Sequence, residues 1–142
     1  MLMMILAYHY ARNAECHRRK VGAVIVGRDG DVLYLGKNGC GLGTCQRPVG
    51  CKPGEKLEYC AGYHAEERAL QAAKDSMGDV RGCTMYVTVK PCLHCAQLIA
   101  KAGLKRVVYH IDYPSEGTAE LRWEAGVELE QGGMDFGEKM GM

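Results

Sequence analysis

The chain has 142 residues, 47% of them hydrophobic and 25% charged, with a formal net charge of +1. That length suits one domain able to bury its own core, and the near-neutral balance lacks the basic run of a polynucleotide binder. Its longest apolar stretch, Met1 to Ala7, is far short of the ~20 residues a membrane span needs.

No basic n-region or small-residue cleavage site marks the start as a signal peptide, so the expected location is cytoplasmic. Eight cysteines then read as metal ligands or buried thiols rather than disulfides. In chain order, Leu2, Ile5, Leu6 and Tyr10 recur near helical spacing and predict an amphipathic helix over 2–14. "VGAVIV" (21–26) is β-branched and almost continuously apolar, as in a strand buried on both faces. "RDG" (28–30) turns the chain into a second strand, "VLYLG" (32–36).

From Lys37 to Gly62 the sequence is rich in Gly, Cys and Pro without periodicity. A loop of that length in a compact domain needs something to hold it. A helix is expected over 64–77, stopped by Gly78, then a strand over 83–89. Pro91 opens a helix over 92–102, stopped by Gly103. A strand over 105–111, a helix over 117–125 and a short strand over 127–130 complete the order, leaving 131–142 as a mobile tail. Strands alternating with helices imply an α/β fold, a mixed sheet with helices on both faces.

Two short pieces carry the chemistry. "YHAEERAL" places His64 and Glu66 at a helix start, and "KPCLHC" places Cys92 and Cys95 at another. A catalytic zinc takes three protein ligands from imidazole or thiolate and keeps one position open. His64, Cys92 and Cys95 supply such a set, and helix N-termini favour thiolates. Cys92-x-x-Cys95 alone would equally suit a redox pair or a structural zinc clip. His-x-Glu followed by Pro-Cys-x-x-Cys is the signature of zinc-dependent nucleobase deaminases. Zinc supplies hydroxide at neutral pH for attack on the amine-bearing ring carbon. Glu66, not needed as a ligand, is the expected proton shuttle from water to ring nitrogen and to departing ammonia.

The chain resembles deoxycytidylate deaminases of the cytidine deaminase superfamily, the bacterial and phage type with a second zinc. The likeness runs from about Ala7 to Glu130 and rests on "CHRRKVGAVIV", "GKNG", "CAGYHAEERAL", "GCTMYVTVKPCLHCAQLIAKAGLKRVVY" and "YP". It implies a three-layer α/β/α sandwich with a five-stranded mixed sheet, within a deaminase domain of residues 1–130. It implies substrate contacts from Asn38, the backbone N–H of Ala65, and Tyr113. Read without the resemblance, Asn38 is a turn asparagine and Tyr113 a packing aromatic. Two positions depart from the family pattern. Lys37 stands where related deaminases usually have tyrosine, and Arg68 where they have asparagine.

Cys45, Cys51 and Cys60 lie in the long loop and Cys16 ends the first predicted helix. Four thiolates on a structural zinc would hold that loop, and the resembling enzymes have cysteines at these places. Four buried free thiols are the alternative, and His17 is the substitute ligand. Arg18, Arg19, Lys20 and Arg47 would offset the negative charge of the site. Arg18 and Lys20 are also candidates for binding a substrate phosphate. Cys40 and Cys83 fit a turn and a strand start, His94 an outward-facing position, and His9 and His110 structural roles.

The expected activity is hydrolytic deamination of dCMP to dUMP and ammonia, with 5-modified dCMP kept open. The rival substrates are tRNA adenosine, cytidine and a riboflavin precursor. The neutral charge argues against RNA, whose phosphates need Lys and Arg. A reading of a different class is a zinc-stabilised binding module without activity. Such a module has no need of Glu66. The resemblance further implies dCTP and dTTP as regulators and a homo-oligomer, usually a hexamer.

Overall fold

The β-branched run at 21–26 forms the strand it predicts. In the computed structural model, which describes residues 2–14, 20–30, 33–40, 62–112 and 126–132, it is β1 (Gly22–Val26), and all but its last residue are buried. β2 (Leu33–Lys37) returns antiparallel to it, pairing Val24 with Leu35. On either side of residues 41–61, which lie outside the described residues, stands a two-stranded ladder that the sequence does not signal, β3 (Gly39–Cys40) against β4 (Gly62–Tyr63). Then come α2 (Ala65–Met77), β5 (Thr84–Val89), α3 (Leu93–Ala102), β6 (Arg106–Ile111) and β7 (Glu128–Gln131). The chain opens with α1 (Leu2–Ala11).

The sheet order is β2-β1-β5-β6-β7. β1 pairs antiparallel with both neighbours, whereas β5, β6 and β7 run parallel. This is the expected mixed five-stranded sheet. Successive side chains on a strand point to opposite faces, which assigns the layers. Gly22 faces α1, where an added Cβ would overlap the carbonyl oxygen of Ala7 and lie 3.0 Å from Ala11 N. Gly36, paired with Ala23, faces α2, where a Cβ would overlap Ala65 O and lie 2.5 Å from Ala69 N. α3 joins α2 on that face, since Ile99 packs in one buried cluster with Ala69, Leu70, Val87 and Val107. The molecule is the three-layer α/β/α sandwich.

Three expectations change. The buried face of α1 is Met4, Ala7 and Ala11, not the face carrying Leu2 and Ile5, which are 69% and 37% exposed. At Gly22 the helix comes so close that only Ala7 and Ala11 fit against the strand, which turns their face, with Met4, inward and leaves Leu2 and Ile5 outside. Gln131, expected in a tail, belongs to β7, and Cys40, expected in a turn, lies on β3. The predicted helix over 117–125 and the tail beyond 132 lie outside the described residues. Among the described residues, no helix is long and apolar enough to cross a membrane.

Candidate metal centre

Two helix starts converge at the carboxyl end of β5. His64 is the N-cap of α2, with extended φ and ψ of −92° and 150°. Cys92 is the N-cap of α3, so Pro91 precedes the cap rather than occupying the first helical position. Both helices end as predicted. Gly78 (φ 77°) sends its N–H to Lys74 O at 2.8 Å, and Gly103 adopts the left-handed φ of 80°. Glycine takes that conformation without the penalty a Cβ brings.

His64, Cys92 and Cys95 are brought together, their donor atoms all within 4.8 Å of one another. His64 Nδ1 lies 3.8 Å from Cys92 Sγ. Bonds of about 2.0 Å to nitrogen and 2.3 Å to sulfur separate tetrahedral ligands by on the order of 3.5 Å, so these residues fit a zinc ion. Burial is graded: Cys95 is buried, Cys92 half-buried and His64 exposed. A catalytic zinc has three protein ligands and keeps a fourth position open, and three donors are what this cluster supplies. Among the described residues it is the only cluster of three or more such ligands.

The two thiols behave oppositely. A hydrogen bond from Cys95, aided by His64, pulls Cys92 down to about 3. The same bond pushes Cys95 upward, helped by burial and by the negative charge of Glu66 and Glu67. The opposite shifts share one cause, the hydrogen bond between the adjacent sulfurs. His64 is raised, first by its hydrogen bond to Cys92 and then by nearby negative charge.

Glu66 is 4% exposed, and its charge reaches both His64 and Cys95. Ala65, fully buried, opens α2 beside it. Asn38 follows β2 two residues after Gly36, the point where that strand meets the first turns of α2. Its Oδ1 accepts the N–H of Val21 at 2.9 Å, and its own N–H reaches Val21 O at 3.2 Å. The first of these bonds orients its side-chain amide. Tyr113, Cys16, Cys45, Cys51, Cys60, His17, Arg18, Arg19 and Arg47 lie outside the described residues.

The departures from the family pattern take definite places. Arg68 stacks its guanidinium 3.6 Å above the Tyr63 ring, and Tyr63 in turn lies over Gly39. Lys37 sits over the Tyr10 ring, on the α1 side of the sheet. Lys20 donates to Ala14 O at 2.9 Å, three residues beyond the end of α1. Tyr8 hydrogen-bonds His110 Nδ1 on the α1 face, a structural role as expected. Cys83 is buried and its thiol is raised by that burial. Sequence reasoning missed the pairing of Glu67 with His94, 3.4 Å apart. Its only signal is an acid at the third helical position after a cap residue.

An α/β/α sandwich with an open His–Cys–Cys donor set and a buried carboxylate beside it defines a class of protein. These are metal enzymes that activate water and move its protons. The comparisons narrow that class. The cytidine and deoxycytidylate deaminase zinc-binding region matches residues 1–111, and the chain belongs to that family. It is 36% identical over 138 residues to the deoxycytidylate deaminase of Schizosaccharomyces pombe, covering 90% of this chain but 42% of that one. The chain thus spans less than half the length of that relative. With the deoxycytidylate deaminase of Mycobacterium phage D29 it shares 40% identity over 110 residues, 70% of this chain and 84% of the phage enzyme. The dCMP deaminase of cyanophage S-TIM5, solved with dCMP and dUMP, superposes with a TM-score of 0.75 at 30% identity. That match covers 91% of this chain and 93% of the phage protein.

Proposed function

We propose that the chain is a zinc-dependent hydrolytic deaminase converting dCMP and water to dUMP and ammonia. The observation that carries this reading is the buried Glu66 beside an open three-donor cluster. It occurs in a chain similar, over nearly all of both lengths, to a phage enzyme solved with that substrate and product. His64, Cys92 and Cys95 hold the zinc. When bound, zinc supplies the Lewis acidity that makes hydroxide available at neutral pH. Glu66 accepts the proton of the attacking water and passes it to the ring nitrogen, then takes the proton of the new hydroxyl and delivers it to the amine as the carbon–nitrogen bond breaks and the carbonyl forms. The Ala65 N–H, at the positive end of α2, holds the ring carbonyl. Asn38 contacts sugar and base, and Tyr113 is a further substrate contact.

The reading extends to parts outside the described residues. Cys16, Cys45, Cys51 and Cys60 hold a second, structural zinc. Residues 1–130 constitute the deaminase domain, working in the cytoplasm as a homo-oligomer, a hexamer, regulated by dCTP and dTTP. A non-catalytic zinc module is disfavoured by Glu66, because burying a carboxylate next to thiolates is costly without a task for it.

Parallel steady-state measurements on dCMP, 5-methyl-dCMP and cytidine test the substrate. A single Arg or Lys on the phosphate adds ~1.5–3 kcal/mol, so dCMP should exceed cytidine by about 10- to 150-fold in kcat/KM. Equal or better turnover of cytidine removes the nucleotide assignment and leaves the zinc chemistry standing.

A further inference from the structure

Glu67 and His94 stand outside the donor set, one directly after Glu66 and the other between the two cysteines. The Glu67 carboxylate touches both helices that carry donors. Its Oε1 accepts the backbone N–H of His64 at 3.1 Å. Its Oε2 lies 3.4 Å from Nε2 of His94, in the first turn of α3. The His94 ring is 6.1 Å from the His64 ring, centroid to centroid.

His64 as N-cap has no intrahelical partner for its own N–H, so the Glu67 oxygen is what anchors the backbone of that donor residue. Cys92 and Cys95 come from a separate helix, and the gap between the two helix starts sets the gap between imidazole and thiolates. His94 and Glu67 have side chains 62% and 34% exposed. A pair so open to solvent adds little to folding stability. Its place between the two helix starts is what gives it a consequence.

We propose that Glu67 is a positioning residue for the metal, a single carboxylate clasping the two donor-bearing helix starts. The proposal rests on the zinc reading above. The clasp works through geometry rather than charge. Glutamine at 67 could keep both bonds, its oxygen accepting from His64 N–H and its amide N–H donating to His94 in the other tautomer.

Full-length Glu67→Ala, Glu67→Gln and His94→Ala proteins would be compared for zinc release into excess chelator and for the absorption bands of the cobalt-substituted site. Cys92→Ser identifies which released zinc belongs to this centre. Partners of metal ligands typically carry 10- to 100-fold in metal affinity. Glu67→Ala should release zinc faster by about that factor, with displaced cobalt bands. Glu67→Gln should stay near wild type, and His94→Ala, which leaves the α2 cap intact, should fall between. Wild-type release and spectra in both alanine variants would overturn the proposal. An effect of Glu67→Ala with none in His94→Ala would also overturn it, reducing Glu67 to a cap of α2. A wild-type protein that takes up neither metal at His64, Cys92 and Cys95 rejects the zinc reading itself, and the clasp with it.

Discussion

Glu66 sits at the second position of α2, where free helix N–H groups favour an anion, and it is 4% exposed. Replacing it with glutamine keeps size and shape but removes the proton acceptor. Glu66→Gln should hold zinc at wild-type stoichiometry while turnover falls by about 10²–10⁴, the usual contribution of a general base. Metal analysis beside initial rates checks this, and near-full activity would remove Glu66 from the proton path. Cys95 makes a second residue-level prediction. Its thiol is held protonated by the bond to Cys92 and by burial, and His64 is raised too. Zinc must displace those protons, so uptake releases protons and affinity weakens as pH falls. Calorimetric zinc titrations in buffers of different ionisation enthalpy should differ. Identical heats would mean that the site is already deprotonated.

Between elements, two glycines on opposite faces of the sheet separate stability from chemistry. At Gly36 an added methyl meets the backbone of Ala65 and Ala69 in α2, the helix whose cap is His64. At Gly22 it meets Ala7 and Ala11 in α1. Alanine gains about 0.4–1 kcal/mol by stiffening the unfolded chain, but overpacking costs about 1–3 kcal/mol, so both variants should be less stable. Only Gly36→Ala pushes on the helix bearing His64. Chemical denaturation should show losses of similar size in both variants, with zinc retention impaired in Gly36→Ala alone. The element ends explain why so much was legible. α2 and α3 stop at Gly78 and Gly103, and Pro91 stands just before α3, all of which are local signals. The face of α1 was not legible, because the choice of Ala7 over Leu2 and Ile5 depends on a glycine in another element.

At the scale of the whole molecule, the test is metal content. Two zincs per chain are expected, and Cys51→Ser should remove one while leaving the His64 site loaded. One zinc in both proteins would return Cys16, Cys45, Cys51 and Cys60 to the class of ordinary thiols. What the amino-acid sequence determined by itself was the inventory and its local frame. His64 and Glu66 head one helix, Cys92 and Cys95 another, and a both-faces-buried strand precedes the hairpin turn. Caps, turn residues and side-chain periodicity act within a few residues, so a linear reading reaches them. Only the tertiary structure decided that His64 lies 3.8 Å from Cys92, that the Cys95 thiol is pushed upward by its neighbour and by burial, and that Glu67 meets His94. Those facts follow from the sheet order, in which β5 pairs not only with β6, the next strand, but also with β1, passing over β2, β3 and β4. That pairing carries α3 to the side of α2, and no spacing along the chain encodes the distance between them.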